Sequence, residues 1–192
     1  MYQSEVRGTG RAWREESILK ERITCLAEYL TSDDERFGFM LLGSAGNGKT
    51  TLLRAFQHLL LLLGQLPNCE ENYGLKPGTY MRICRATDYV FYASNSQRYD
   101  LTIRAIRDAP LLSIDDLGQE SLSLQSYGNI MFPIIDLLEY RYSRRLFTAA
   151  TTNYSAKELV GKYGERLADR FREMFFRIAF NFDSLRKINS TK

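Results

Sequence analysis

Eight consecutive residues constrain this chain more than any others: Gly43-Ser44-Ala45-Gly46-Asn47-Gly48-Lys49-Thr50. They read G-x-x-x-x-G-K-T. An apolar run, Phe37 to Leu42, precedes them, and a leucine-rich stretch, Thr51 to Leu63, follows. Strand, glycine loop and helix in that order is the setting in which such a loop cradles nucleotide phosphates. Glycines at 43, 46 and 48 let the backbone curl so that successive N–H groups face one anion. The free N–H groups at the start of the next helix add the positive end of its dipole. The predicted nucleotide-binding set is therefore Gly43, Ser44, Ala45, Gly46, Asn47, Gly48, Lys49, Thr50 and Thr51. Lys49 would reach the β- and γ-phosphates of ATP, and the Thr50 hydroxyl would ligate Mg²⁺. A glycine-rich turn that binds nothing is the plain alternative, and the strand and helix on either side argue against it.

The rest of the chain alternates between strand and helix patterns. Residues 1–12 are polar and are expected to be loosely ordered. Leu19, Ile23, Leu26 and Leu30 recur at helical spacing within a predicted helix over 13–31. Gly64 closes the leucine-rich helix, and Pro67, Gly74 and Pro77-Gly78 predict a loop over 65–79. Strands are predicted at Tyr80–Cys84, at Leu111–Ile114, at Leu146–Ala150 and at Arg177–Phe182. Helices are predicted from a Thr87 cap to Asn95, in part of 96–108, over Gln125–Tyr142 with Pro133 near its start or kinking it, from a Ser155–Glu158 capping box, and over Tyr163–Met174. Such alternation predicts an α/β fold with a mostly parallel sheet covered on both faces.

Composition limits the function classes. The 192 residues suit one domain, with 44% hydrophobic and 26% charged residues. The longest apolar run, Leu59–Leu63, is far short of the roughly 20 residues of a membrane span, so no membrane association is expected. The N-terminus lacks an apolar signal core, which points to a cytoplasmic location. Cys25, Cys69 and Cys84 lack metal-ligand spacing and read as free thiols; His58 reads as a structural, partly exposed residue. Net charge is +3 but unevenly spread: residues 141–192 carry 12 Lys/Arg against 5 Asp/Glu. A basic C-terminal quarter suits an anionic partner such as DNA or a neighbouring subunit's nucleotide.

Other residues extend the phosphate-loop chemistry. Asp115 and Asp116 close an apolar strand, where α/β sheets collect their ligands. Asp115 would hold the metal with Thr50, and Asp116 would orient or deprotonate the attacking water. Asn153 also ends a strand; its amide suits the γ-phosphate, although turn chemistry explains it equally simply. Arg166 and Arg170 lie four apart, on one helix face. They are either solvated partners of Glu165 and Asp169 or a cation offered to a neighbour's phosphoryl group. Tyr140, Arg141, Tyr142, Arg144 and Arg145 mix aromatics with charge, as nucleic-acid surfaces do, or simply complement a helix dipole.

Taken in order, Gly43–Thr50, Leu111–Gly118, Ile135–Arg145, Thr151–Asn153 and Gly164–Phe171 resemble the AAA+ ATPase domain of bacterial replicative helicase loaders and transposition helper ATPases, the DnaC/IstB branch. Ser184-Leu185-Arg186 is similar to that branch's C-terminal Ser-x-Arg. The resemblance implies a P-loop NTPase three-layer sandwich with a mainly parallel five-stranded sheet. It places the Asn153 strand between the phosphate-loop and Asp115 strands, which brings Asn153 to the γ-phosphate. It further implies a homo-oligomer with shared ATP sites, DNA as a partner, and a replicative helicase or a transposase as the protein served. Arg170 matches the arginine finger by its place in the motif, with Arg166 as the alternative.

The chain departs from that pattern at two points, its short N-terminal extension and its second acid, while the missing lid is usual in this branch. Only 36 residues precede the first strand, so the family's partner-binding N-terminal domain is expected to be absent. Only 22 residues follow Arg170, so no C-terminal lid domain is expected. The second acid is Asp116 where many AAA+ proteins have Glu, and the shorter side chain implies slow or partner-stimulated hydrolysis. The expected organisation is an N-terminal extension over 1–36 with one amphipathic helix, an ATPase core over 37–186 and a flexible tail over 187–192. A P-loop metabolite kinase and a non-hydrolysing recruitment switch are the alternative functions.

Overall fold

The computed structural model describes residues 1–8, 17–64, 80–126 and 129–181. The expected loop at 65–79, Cys69, the Ser184–Arg186 motif, the tail and the start of the 13–31 helix lie outside the described residues.

A parallel sheet of five strands forms the centre, in the order β2-β3-β6-β1-β7. These are β1 (Gly38–Leu42), β2 (Arg82–Arg85), β3 (Leu111–Leu117), β6 (Phe147–Thr152) and β7 (Phe176–Ala179). β6 lies between β1 and β3, parallel to both. Side chains on successive residues of a strand point to opposite faces. Phe39 and Leu41 of β1 therefore enter one core with Ala149 and Ile178, while Met40 enters the other with Leu112, Ile114 and Ala150. The first core is covered by α1 (Tyr2–Gly8), α2 (Ser17–Leu30) and α3 (Lys49–Leu63). The second is covered by α4 (Ala86–Ser94), α5 (Ser96–Arg107), α6 (Pro133–Ser143), α7 (Ala156–Tyr163) and α8 (Glu165–Met174). This is the expected three-layer sandwich. Among the described residues no helix follows β7.

The first helix corrects one expectation. Residues 2–8 are helical rather than loose. Tyr2 and Val6, one helical turn apart, both turn toward the core beneath α3, and Glu5 pairs with His58 of α3. α2 docks through Tyr29, whose hydroxyl accepts from the Gly38 N–H at 3.1 Å and whose ring stacks on Phe176 at 4.5 Å.

Two further corrections concern the middle of the chain. α4 begins at Ala86, so Thr87 lies inside its first turn, and no side chain caps the helix. The helix expected over 125–142 begins only at Pro133, the first-turn position where a missing N–H costs nothing. The residues before it form an antiparallel hairpin, β4 (Leu124–Ser126) and β5 (Asn129–Met131). The Ser155–Glu158 capping box forms with both of its bonds.

Arg141 is the largest fully buried side chain, at 0% exposure. From α6 its guanidinium donates to Thr148 Oγ1 at 2.9 Å, to the Arg107 and Ala109 carbonyls at 2.9 and 2.8 Å, and to the Phe147 carbonyl at 2.6 Å. It thus ties α6 to the entrance of β3 and of β6. Burial pushes its pKa down to about 10, so it remains charged at neutral pH. Arg141→Met keeps the apolar stem but leaves these carbonyls without a donor. We expect a loss of about 3 kcal/mol in urea unfolding. A loss below about 0.5 kcal/mol, typical of a surface substitution, would contradict this anchoring role.

Candidate nucleotide site

The site lies at the carboxyl ends of three adjacent strands, where the register brings its residues level. Leu42 pairs with Thr152, so Gly43 and Asn153 leave neighbouring strands side by side. Arg85 at the end of β2 pairs with Asp115.

The phosphate loop curls as its glycines predict, with φ of +146° at Gly43, +93° at Gly46 and +86° at Gly48. Gly43 is also sterically required. A Cβ there would lie 2.4 Å from the Phe180 carbonyl oxygen. That carbonyl accepts a bond from Asn47 Nδ2 at 2.5 Å, so the segment after β7 closes over the loop. Lys49 is buried, and its ammonium donates to the Gly43 and Ser44 carbonyls at 2.6 and 2.7 Å and to Asn153 Oδ1 at 3.0 Å. The structure therefore joins Lys49 and Asn153 across neighbouring strand ends. Thr51 bonds the Tyr2 hydroxyl, which burial pushes up to about 12. The same hydroxyl lies 3.5 Å from the Gly48 carbonyl, so α1 abuts the loop's end.

Asp115 is the junction on the other side. Its Oδ1 accepts from Thr50 Oγ1 at 3.0 Å and from Thr151 Oγ1 at 2.6 Å. A hydroxyl and a carboxylate converging in this way are hard oxygen donors that suit Mg²⁺. Thr151 Oγ1 also accepts the Asp116 N–H at 2.9 Å. Asp116 sits at φ +57°, a conformation that non-glycine residues rarely adopt, where the β3 pairing is irregular. Its Oδ2 lies 3.9 Å from Arg85 Nη2.

Past the acid pair, Glu120 is buried and holds the loop from below. Its carboxylate accepts from the Gly118 N–H at 2.8 Å and from the Tyr163 hydroxyl at 2.5 Å. Lys162 donates to the Gly118 and Glu120 carbonyls at 2.7 and 2.6 Å. Burial, with Glu120 beside it, raises the Tyr163 pKa, so its hydroxyl stays a donor. The sequence reading missed Arg85, Thr151 and Glu120. Thr151 alone left a signal, as a polar residue within the buried Thr148–Thr152 stretch.

Arg166 and Arg170 share one helix face as expected, but their partner is not Glu165 or Asp169. Both approach Glu139 of α6, at 3.6 and 2.6 Å respectively. Asp169 instead pairs with Arg172. They are not gathered at the phosphate loop with Lys49 and Asp115. The mixed patch at 140–145 is also revised: Arg141 is buried in the core, Arg144 stacks on Tyr140 at 4.6 Å, and Arg145 stacks on Phe37 at 4.8 Å. A second aromatic cluster, of Phe91, Tyr92 and Tyr99, lies on α4 and α5 with Arg98 over the Tyr99 ring at 5.5 Å.

No protein-family model matches the chain, and no curated protein matches it significantly. Among solved structures, the DnaC helicase loader aligns over 88% of this chain and 93% of its own, at 21% identity and a TM-score of 0.61. DnaI aligns over 97% of this chain and 94% of its own, at 21% identity and a TM-score of 0.63. The chain shares the fold of these two proteins. A replication initiator, DnaA bound to AMPPCP and single-stranded DNA, shares this fold over 90% of the chain and 48% of the initiator, at 18% identity and a TM-score of 0.50. At these identities the likeness is one of fold. Among the described residues no helix is long and apolar enough to cross a membrane.

Thr151 offers a local test. Thr151→Val keeps the shape but removes the hydroxyl shared by Asp115 and Asp116. We expect it to weaken Mg²⁺ affinity in the presence of ATP about tenfold or more, while circular dichroism stays native. Unchanged Mg²⁺ affinity would contradict the reading of this hydroxyl as a support for the acid pair.

Proposed function

We propose that the chain is a Mg²⁺-dependent ATPase of the helicase-loader type, which assembles into a homo-oligomer on DNA or on a DNA-acting partner. The observation that carries this reading is the convergence of Lys49, Asn153, Thr50 and Asp115 at the ends of adjacent strands. Gly43–Thr51 would wrap the phosphates with backbone N–H groups. Lys49 would move from the loop carbonyls toward the β- and γ-phosphate oxygens, still steadied by Asn153. Thr50 and Asp115 would hold Mg²⁺, which when bound offsets charge on the phosphate oxygens. Asp116 would orient the water that attacks the γ-phosphorus and take its proton, releasing ADP and phosphate. Its positive φ supports such a role, since strained residues cluster at reacting centres.

Arg170 would act in trans, on ATP held by a neighbouring subunit, with Arg166 on the same face as the alternative. The separate partners of the two support this: Arg170 meets Glu139 and Tyr142, while the loop meets Asn153, Phe180 and Tyr2. DNA as a partner is supported by the fold shared with an initiator bound to single-stranded DNA, and by the exposed Phe91 beside Tyr99 and Arg98. The loader and initiator neighbours favour a replicative helicase over a transposase as the protein served.

The test is ATPase activity as a function of protein concentration. Turnover per subunit should rise as subunits assemble, and Arg170→Ala should lower it about 10³-fold at saturating protein. Asp116→Asn should abolish turnover while ATP still binds. Turnover per subunit that is flat with concentration and indifferent to Arg170→Ala would contradict a shared site.

A further inference from the structure

The contact between α6 and α8 holds one arginine in a fixed direction. Arg170 Nη1 lies 2.6 Å from Glu139 Oε1, and its guanidinium carbon lies 5.0 Å from the centre of the Tyr142 ring. Glu139 and Tyr142 are three residues apart on α6, so they present a carboxylate and a ring to the same incoming side chain. Tyr142 is steadied in turn, because its hydroxyl donates to Glu173 Oε2 of α8 at 2.6 Å. α6 cannot easily drift, since Arg141 ties it to β3 and β6 from the interior. A rigid helix therefore aims the cradle, and the cradle aims Arg170.

As a source of stability this arrangement counts for little. A part-exposed ion pair is screened by water and salt. Its geometric effect is larger. A free arginine side chain samples many rotamers. Holding Nη1 and one ring face removes most of that freedom. The guanidinium has five N–H donors, more than one carboxylate can take up, so other donors can still reach an anion. Arg166 is treated differently. Its side chain is 77% exposed against 22% for Arg170, and it meets the same Glu139 oxygen at 3.6 Å. Only Arg170 is both cradled and aimed.

We propose that Glu139 is a positioning residue. With Tyr142 it holds Arg170 in the direction needed to meet the γ-phosphate of an ATP bound by the adjacent subunit. This rests on the shared-site reading above and deepens it: Arg170 rather than Arg166 is the trans cation, and Glu139 sets its aim.

Mixed assemblies separate the two claims. Donor subunits carry Lys49→Ala, which removes their own ATP site but keeps Arg170. Acceptor subunits carry Arg170→Ala, which keeps the ATP site but removes the trans cation. Neither alone should turn over ATP, and mixing them should restore activity. Adding Glu139→Ala to the donor should then lower the restored rate about tenfold or more, the effect of misplacing a reacting group by about an ångström. The same change in the acceptor should leave the restored rate within about twofold, because independent sites act additively. A restored rate that ignores Glu139→Ala in the donor overturns the inference and leaves the shared site intact. Equal losses from donor and acceptor overturn it too, since they mark a residue needed only for folding or assembly. Mixtures with no restored activity overturn the shared site itself, and the inference with it.

Discussion

A single carboxylate oxygen, Asp115 Oδ1, joins pieces of chain that are remote in sequence. It accepts from Thr50 at the head of α3 and from Thr151 near the end of β6, while Asp115 itself stands on β3. The junction exists only because β6 runs between β1 and β3 with all their carboxyl ends level. Once that order is set, Lys49 and Asn153 meet at 3.0 Å as well. The candidate site is thus a property of strand order as much as of the glycine loop. A one-residue slip between β1 and β6 would turn those side chains to opposite faces and separate them.

Charged residues inside the molecule keep this junction in place from behind. Arg141 fastens α6 to the entrances of β3 and β6, and Glu120 fastens the loop after Asp116 to α7 through Tyr163. Neither faces the phosphate loop. Each gives backbone groups partners that water would otherwise supply, so the strands carrying Asp115 and Thr151 have little room to shift. The same anchored α6 presents Glu139 and Tyr142 to Arg170 on its outer side. One helix therefore links the interior of the sheet to the surface that would meet a neighbour.

The legibility of these features follows from how local their causes are. Gly43 to Lys49, the apolar run of β1 and the Ser155 capping box depend on neighbours a few residues away, and all were readable. The position of β6 between β1 and β3 was not readable from periodicity; only the resemblance in motif order implied it. The β4–β5 hairpin hid because Leu124–Met131 is short, mixed in polarity and followed by apolar residues at helical spacing. Pro133 fits a helix start or a kink equally well on sequence alone, and it marks the start. Arg141 stands among other charges in Tyr140–Arg145, so nothing local distinguishes the buried cation from its exposed neighbours. Glu120 meets Tyr163, and Arg85 meets Asp116, only when the chain returns from far away. Short helices such as α1 draw their order from the surface they cover, here α3, rather than from their own sequence.

Calorimetric titration of ATP tests whether ATP and Mg²⁺ occupy the junction of Lys49, Thr50 and Asp115. The wild-type chain should show saturable binding that tightens with Mg²⁺. Lys49→Ala should abolish the binding, and Asp115→Asn should retain Mg²⁺-free binding while losing the gain from Mg²⁺, about tenfold or more. Wild-type protein that does not bind ATP, or Lys49→Ala protein that binds it equally well, would contradict the account.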